Sequence, residues 1–121
     1  MIKVLIVEDN LSIVKVTRIV LEREGFEVNA VDDDRCFEIA LTWEPSVILM
    51  DVRLPTMDGI EACKRLKSNS ETKHIPVILV SADRDIAELG VEACADGTLV
   101  KPFTNKALIE IIRQNAENTD A

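Results

Sequence analysis

The sequence predicts an α/β fold in which a parallel sheet is covered by helices on both faces. Three observations predict it. Five short apolar runs rich in Val, Ile and Leu alternate with five segments of helical spacing. The runs at residues 2–7, Lys3 excepted, and 47–50 are apolar at successive positions, as strands buried on both faces are. Polar residues close these runs, and a parallel sheet would gather such strand ends along one rim.

The elements follow in order. Ile2 to Val7 reads as a strand that ends at Glu8, Asp9 and Asn10. Residues 11–24 read as a helix, with Ile13, Val16 and Val20 on one stripe, Val14 and Leu21 beside it, and Gly25 as its stop. Phe26 to Val31 alternates and reads as a second strand. Asp32 to Asp34 offers N-cap carboxylates to a short helix marked by Phe37, Ala40 and Leu41, which ends at Pro45. Val47 to Met50 forms a third strand closed by Asp51. After a loop from Leu54 to Gly59, Ile60, Cys63 and Leu66 mark a third helix. Pro76 to Val80 is a fourth strand closed by Ser81, and Ile86, Leu89 and Ala93 mark a fourth helix. Thr98 to Val100 is a fifth strand closed by Lys101 and Pro102. Thr104 caps the last helix, with Leu108, Ile111 and Ile112 inward, and a polar tail from Asn115 to Ala121 is expected to fray.

The chain has 121 residues, 47% of them hydrophobic, enough for one domain with a real core. The division expected is a domain over 1–116 and a tail over 117–121. Only 3% of residues are aromatic, so the core must come from Val, Ile, Leu and Ala. A formal net charge of -8 repels phosphate backbones and anionic lipid, so direct binding to nucleic acid or membrane is not expected. Cys36, Cys63 and Cys94 form no C-x-x-C pair, and the one histidine, His74, is distant in sequence, so free thiols in a reducing cytoplasm are expected instead of a zinc site. No signal peptide is expected, and the apolar runs are too short to cross a bilayer.

The strand ends carry the chemistry. Glu8 and Asp9 follow the first strand, Asp51 the third, Ser81 the fourth and Lys101 the fifth. Taken singly, each has a plain structural use: Asp9 or Asn10 as a helix cap, Asp51 in a turn, Ser81 as an N-cap, Lys101 in solvent. Together they place three carboxylates, a hydroxyl and an ammonium on one rim. Packed carboxylates repel unless a cation joins them, and hard oxygen ligands with room for water suit magnesium (Mg2+). An anion fits between such a metal and Lys101. Phosphoryl transfer needs little more than an in-line nucleophile, for which Asp51 has the central position, and fixed charges to hold the transferring group.

The stretches VLIVEDN (4–10), ILMDVRLPTMDG (48–59), VILVSA (77–82) and VKPF (100–103), in this order and spacing, resemble the receiver domain of two-component response regulators. The resemblance covers essentially the whole chain. It implies a flavodoxin-like fold with strand order 2-1-3-4-5. It implies Asp51 as phosphoacceptor, Asp9 as a direct magnesium ligand, Glu8 acting through metal-bound water, and the backbone carbonyl of Arg53 as a further ligand. Ser81 would bond a phosphoryl oxygen and Lys101 would bind the phosphate, with a cis bond to Pro102. Arg53 and Asp83 would flank the phosphoryl group and are placed to pair across it. The implied partners are a sensor histidine kinase or phosphotransfer protein upstream, and a protein target or output domain downstream.

Departures from the family pattern are also visible. Thr98 stands where the family commonly has Tyr or Phe, Cys94 where it has glycine, Gly97 where an acidic residue is common, and Ser81 where Thr is more frequent. Thr98 therefore has no ring to move in the family's aromatic switch. Three other functions would leave different residues at these positions. An aspartyl-phosphate phosphatase usually has a second Asp where Arg53 stands. A flavin protein would need a phosphate cradle where Glu8 and Asp9 would repel one. A receiver-like module that is never phosphorylated would not need all five rim residues.

Overall fold

A computed structural model describes residues 1–119, with side-chain surroundings through residue 116. The elements are β1 (Lys3–Val7), α1 (Leu11–Arg23), β2 (Glu27–Val31), α2 (Arg35–Trp43), β3 (Val47–Asp51), α3 (Gly59–Ser68), β4 (Val77–Ser81), α4 (Ile86–Glu92), β5 (Gly97–Val100) and α5 (Asn105–Thr119). All strand pairs are parallel, and the sheet order is β2-β1-β3-β4-β5. The expected architecture and strand order are therefore observed.

Side-chain alternation divides the interior into two cores. Val4 and Ile6 of β1 and Val47 and Leu49 of β3 face one side, where Leu21 of α1 and Leu108 and Ile112 of α5 cover them. Leu5, Val7, Ile48, Met50 and Leu79 face the other, under Cys36 and Ala40 of α2, Cys63 and Leu66 of α3, and Ile86 of α4. Each fully buried aliphatic side chain contributes about 1.5–3 kcal/mol of transfer free energy. Strand order reverses between β1 and β3, which opens a crevice beyond their carboxyl ends.

Several local expectations need correction. α1 buries Leu21 and half-buries Val14, while Ile13 is 39% and Val16 62% exposed, so the inward stripe runs through Val14 and Leu21. This helix carries apolar residues on more than one side, and periodicity alone cannot choose between them. Leu41 of α2 is also exposed; Ala40 faces inward as expected, and Cys36 joins it. Asp34 stands at the α2 N-cap but makes no side-chain cap bond; Asp33 Oδ1 instead accepts the Arg35 N–H at 3.0 Å. β1 and β2 each begin one residue later than expected, with Phe26 buried in the core ahead of β2. α5 continues past Asn115, with Ala116 buried, and the last two positions of the expected tail lie outside the described residues.

The helix ends follow local chemistry. After α1, Gly25 takes φ 86°, its N–H donates to Glu22 O (3.0 Å) and the Phe26 N–H donates to Leu21 O (3.1 Å). This is a Schellman stop, sealed by Phe26 against Leu21 in the core. The same pair of bonds ends α4: Cys94 N–H to Val91 O and Ala95 N–H to Gly90 O. There the left-handed position, φ 60°, is held by Cys94, which lacks glycine's freedom. Thr104 caps α5 as expected, its hydroxyl accepting the Ala107 N–H at 3.0 Å.

Candidate functional site

The carboxyl ends of β1, β3, β4 and β5 bring together Glu8, Asp9, Asp51, Ser81 and Lys101. The parallel registers make this unavoidable: Val7 pairs with Met50, Asp51 with Val80 and Ser81 with Val100, so the residues that close the strands lie side by side.

Glu8 is buried. Its Oε2 accepts the N–H of Asp9 at 2.9 Å, with the Asn10 N–H at 3.5 Å, and its Oε1 lies 3.5 Å from Lys101 Nζ. Both oxygens are thus engaged within the protein. Asp9 is exposed, and it is Asn10 that caps α1, accepting from Ser12 and Ile13 N–H. Asp9 is left free to face the site, which decides between the two readings of this turn.

Asp51 ends β3 and is largely buried. Its Oδ1 accepts the Arg53 N–H at 3.1 Å, and its Oδ2 lies 3.5 Å from Lys101 Nζ. Lys101 therefore stands between Asp51 and Glu8. Its backbone N–H donates to Ser81 O at 2.8 Å, and the bond to Pro102 is cis, as expected. Ser81 is buried and does not cap α4, whose N-cap position is Asp85: its Oγ accepts the Asp83 N–H at 3.0 Å in the turn ahead of the helix, leaving its own proton to donate.

Burial pushes the Glu8 carboxyl up to about 7, with the hydrogen bond and like charge of Asp51 adding to it; Lys101 and the Asn10 N–H oppose the shift. One carboxylate oxygen from each of Glu8, Asp9 and Asp51 lies within 4.8 Å of the other two. This donor set fits a hard cation: it is oxygen-only, short of positive charge, and open to water on the Asp9 side.

The loop after Asp51 shapes the site further. A Cβ on Gly59 would collide with the Asp51 carbonyl oxygen, so only glycine lets the start of α3 pack behind the aspartate. The Asp58-Gly59 turn signal marks that position, and Asp58 caps α3 through the Ile60 N–H at 2.8 Å. Arg53 and Asp83 do pair across the mouth of the site, Nη2 to Oδ2 at 2.8 Å.

Residues 4–113 match the response regulator receiver domain family, and the chain belongs to that family. Among relatives, it is 40% identical over 113 residues to the transcriptional regulatory protein CseB of Streptomyces coelicolor, covering 91% of this chain and 47% of that protein. It is 31% identical to the DNA-binding response regulator MtrA of Mycobacterium tuberculosis, covering 98% of this chain and 52% of that protein. The chain thus spans about half the length of these relatives. Among solved structures, the receiver domain of sensor histidine kinase PA1611 from Pseudomonas aeruginosa, crystallised with a magnesium ion coordinated in its active-site cleft, superposes with a TM-score of 0.85. It is 28% identical, over 95% of this chain and 97% of that one. The chemotaxis response regulator CheY4 of Vibrio cholerae also gives 0.85, at 31% identity over 94% and 98% of the two chains. The chain is therefore a receiver domain of two-component signalling. Among the described residues, no helix is long and apolar enough to cross a membrane.

Proposed function

We propose that this receiver domain accepts a phosphoryl group on Asp51 from a histidine kinase or phosphotransfer protein in the cytoplasm and passes the signal on as a change of surface. The observation that carries this reading is the position of Lys101 Nζ, 3.5 Å from both Asp51 and Glu8, beside a buried Ser81 whose proton is free to donate. In the transfer, an Asp51 carboxylate oxygen attacks phosphorus. The O–P bond forms as the N–P bond to the donor imidazole breaks, and the imidazole leaves with the bonding pair. Lys101 offsets the charge that accumulates on the phosphoryl oxygens, and Ser81 donates to one of them. Glu8 braces the turn that presents Asp9. A magnesium ion held by Asp9, Asp51 and the Arg53 carbonyl, with Glu8 acting through water, would supply the remaining positive charge. Lys101 alone cannot balance Glu8, Asp9 and a phosphoryl group carrying nearly two negative charges.

The domain, residues 1–116 with a tail at 117–121, promotes its own phosphorylation and dephosphorylation and turns over no external substrate. α1 starts at the rim with Leu11 exposed and exposes Val16 and Ile19 further along, apolar surface suited to a protein donor. The acidic balance argues against direct nucleic-acid contact by this domain; a downstream protein or an attached output domain carries the response. Incubation with a small phosphodonor and magnesium should add one phosphoryl group by intact mass. The adduct should vanish in Asp51→Asn and with chelator. No adduct on the wild-type chain would favour a receiver-like module that binds partners unphosphorylated.

A further inference from the structure

β5 is gripped through two notches, one on each face. On the α4 side, a Cβ at Gly90 would lie 2.6 Å from Thr98 Cγ2, so the threonine methyl is seated against the bare backbone of Gly90. On the α5 side, a Cβ at Gly97 would lie 2.9 Å from Ile111 Cδ1. The first notch is the informative one. Gly90 lies inside α4, where its backbone needs no left-handed freedom and where glycine costs about 1 kcal/mol relative to alanine. The close approach of Thr98 accounts for its presence.

α4 is held at two points. Near its C-terminal end it rests on Thr98, and the Gly90 carbonyl also accepts the Ala95 N–H at 2.9 Å, fixing the turn into β5. At its start it hangs from the switch hydroxyl: Ser81 Oγ accepts the Asp83 N–H at 3.0 Å, and the Asp83 carbonyl accepts the Ile86 N–H at 3.3 Å. Thr98 belongs to the sheet, paired with Leu79, and does not follow the helix. If the Ser81 hydroxyl is drawn toward Asp51, the 82–85 turn and α4 move with it, and the relative motion falls on the Gly90–Thr98 contact.

We propose that the Thr98 methyl in the Gly90 notch is the stop that holds α4 in its resting position, and that occupation of the phosphoryl site moves Gly90 off it. The proposal rests on the reading of Asp51 as acceptor and names how that site is coupled to the α4 surface. A methyl-sized stop thus stands where an aromatic ring would otherwise do the coupling. The ligand and the stop then bias one two-state element, and their coupling is reciprocal.

The test exchanges the methyl between the two residues. Gly90→Ala adds a methyl that collides with Thr98, and Thr98→Ser removes the methyl and leaves a void. Each single change weakens the resting seat. The double variant moves the methyl from one wall of the notch to the other and rebuilds it. Binding of beryllofluoride with magnesium, followed by backbone amide shifts, supplies the readout. Each single variant should bind more tightly than wild type, Gly90→Ala by about five-fold or more, the low end of common coupling factors. Without ligand, its resonances from Ser81 to Glu92 should move toward their liganded wild-type positions. Gly90→Ala/Thr98→Ser should return to wild type, whereas Gly90→Ala/Thr98→Val, which keeps a γ-carbon in place, should not. Thr98→Ser alone carries the test if Gly90→Ala does not fold. Wild-type affinity in the single variants, or a double variant that sums their effects, overturns the stop while leaving the acceptor reading intact. Failure of the wild-type protein to bind the mimic or to form an adduct overturns the acceptor reading, and the stop with it.

Discussion

Arg53→Ala and Asp83→Ala break the ion pair that crosses the mouth of the site. The pair is 2.8 Å long, but its side chains are 79% and 41% exposed, so water screens it and its worth is about 0.5–1 kcal/mol. If the water that hydrolyses phospho-Asp51 enters only when the pair is open, breaking it speeds decay by about two- to five-fold, at about 1.36 kcal/mol per tenfold. Charge alone predicts something different. Losing Arg53 removes a cation near the phosphoryl group and losing Asp83 removes an anion, so simple field effects act in opposite directions. Acting as a gate, the pair makes both variants decay faster, and the double variant no faster than either. The protein is phosphorylated, freed of donor, and followed by intact mass over time. Raising the salt, which cuts the screening length from about 10 Å at 0.1 M to about 3 Å at 1 M, should move wild type toward the variants. Unchanged decay in both, or shifts of opposite sign, would refute the gate.

Three further outcomes follow from the geometry. Asp9→Asn should weaken magnesium binding in calorimetric titration more than Glu8→Gln, because both Glu8 oxygens are already engaged while Asp9 is free; the reverse order would exchange their roles. Glu8 is raised from 4.5 to about 7, so the metal-free fold holds a proton that the unfolded chain has lost, and stability falls as pH rises between those values. Glu8→Gln removes that penalty: urea melts in chelator should show it more stable than wild type by on the order of 2 kcal/mol at pH 8, with the gap closing toward pH 4.5, and a gap independent of pH would contradict the burial argument. Cys94→Gly should stabilise the protein by about 1 kcal/mol in the same assay, because glycine fits the left-handed φ of 60° at the end of α4; a destabilised variant would mean that the thiol makes contacts worth more than the strain.

Strand and helix order was legible because each element keeps one period and ends on a turn or cap residue. The rim was legible for the same reason: an apolar strand leaves its first polar residue at or just past its carboxyl end, and those of four strands, Glu8, Asp51, Ser81 and Lys101, converge with Asp9 beside Glu8. Orientation was harder to read. Ile13, Val16 and Val14 are equally apolar, and only the tertiary fit selects Val14. The Asn10 cap could not be told from an Asp9 cap, since both side chains can accept the same N–H groups. The Thr98 seat was invisible because it depends on Gly90, eight residues away in another element, and an isolated glycine in a helical pattern reads only as a small loss of propensity.

Glu8 and Lys101 meet at 3.5 Å although 93 positions separate them in the chain. β1 and β3 pair directly and gather the three carboxylates, but Lys101 reaches them only when β5 has docked on the open edge of β4, the last strand addition in sequence order. During synthesis, when most of the sheet has left the ribosome, Asp51 is still an ordinary carboxylate without its ammonium partner. A chain that has formed only β1 to β4 therefore holds its carboxylates without the ammonium that stands between Glu8 and Asp51, and the edge of β4 is still open to a foreign strand.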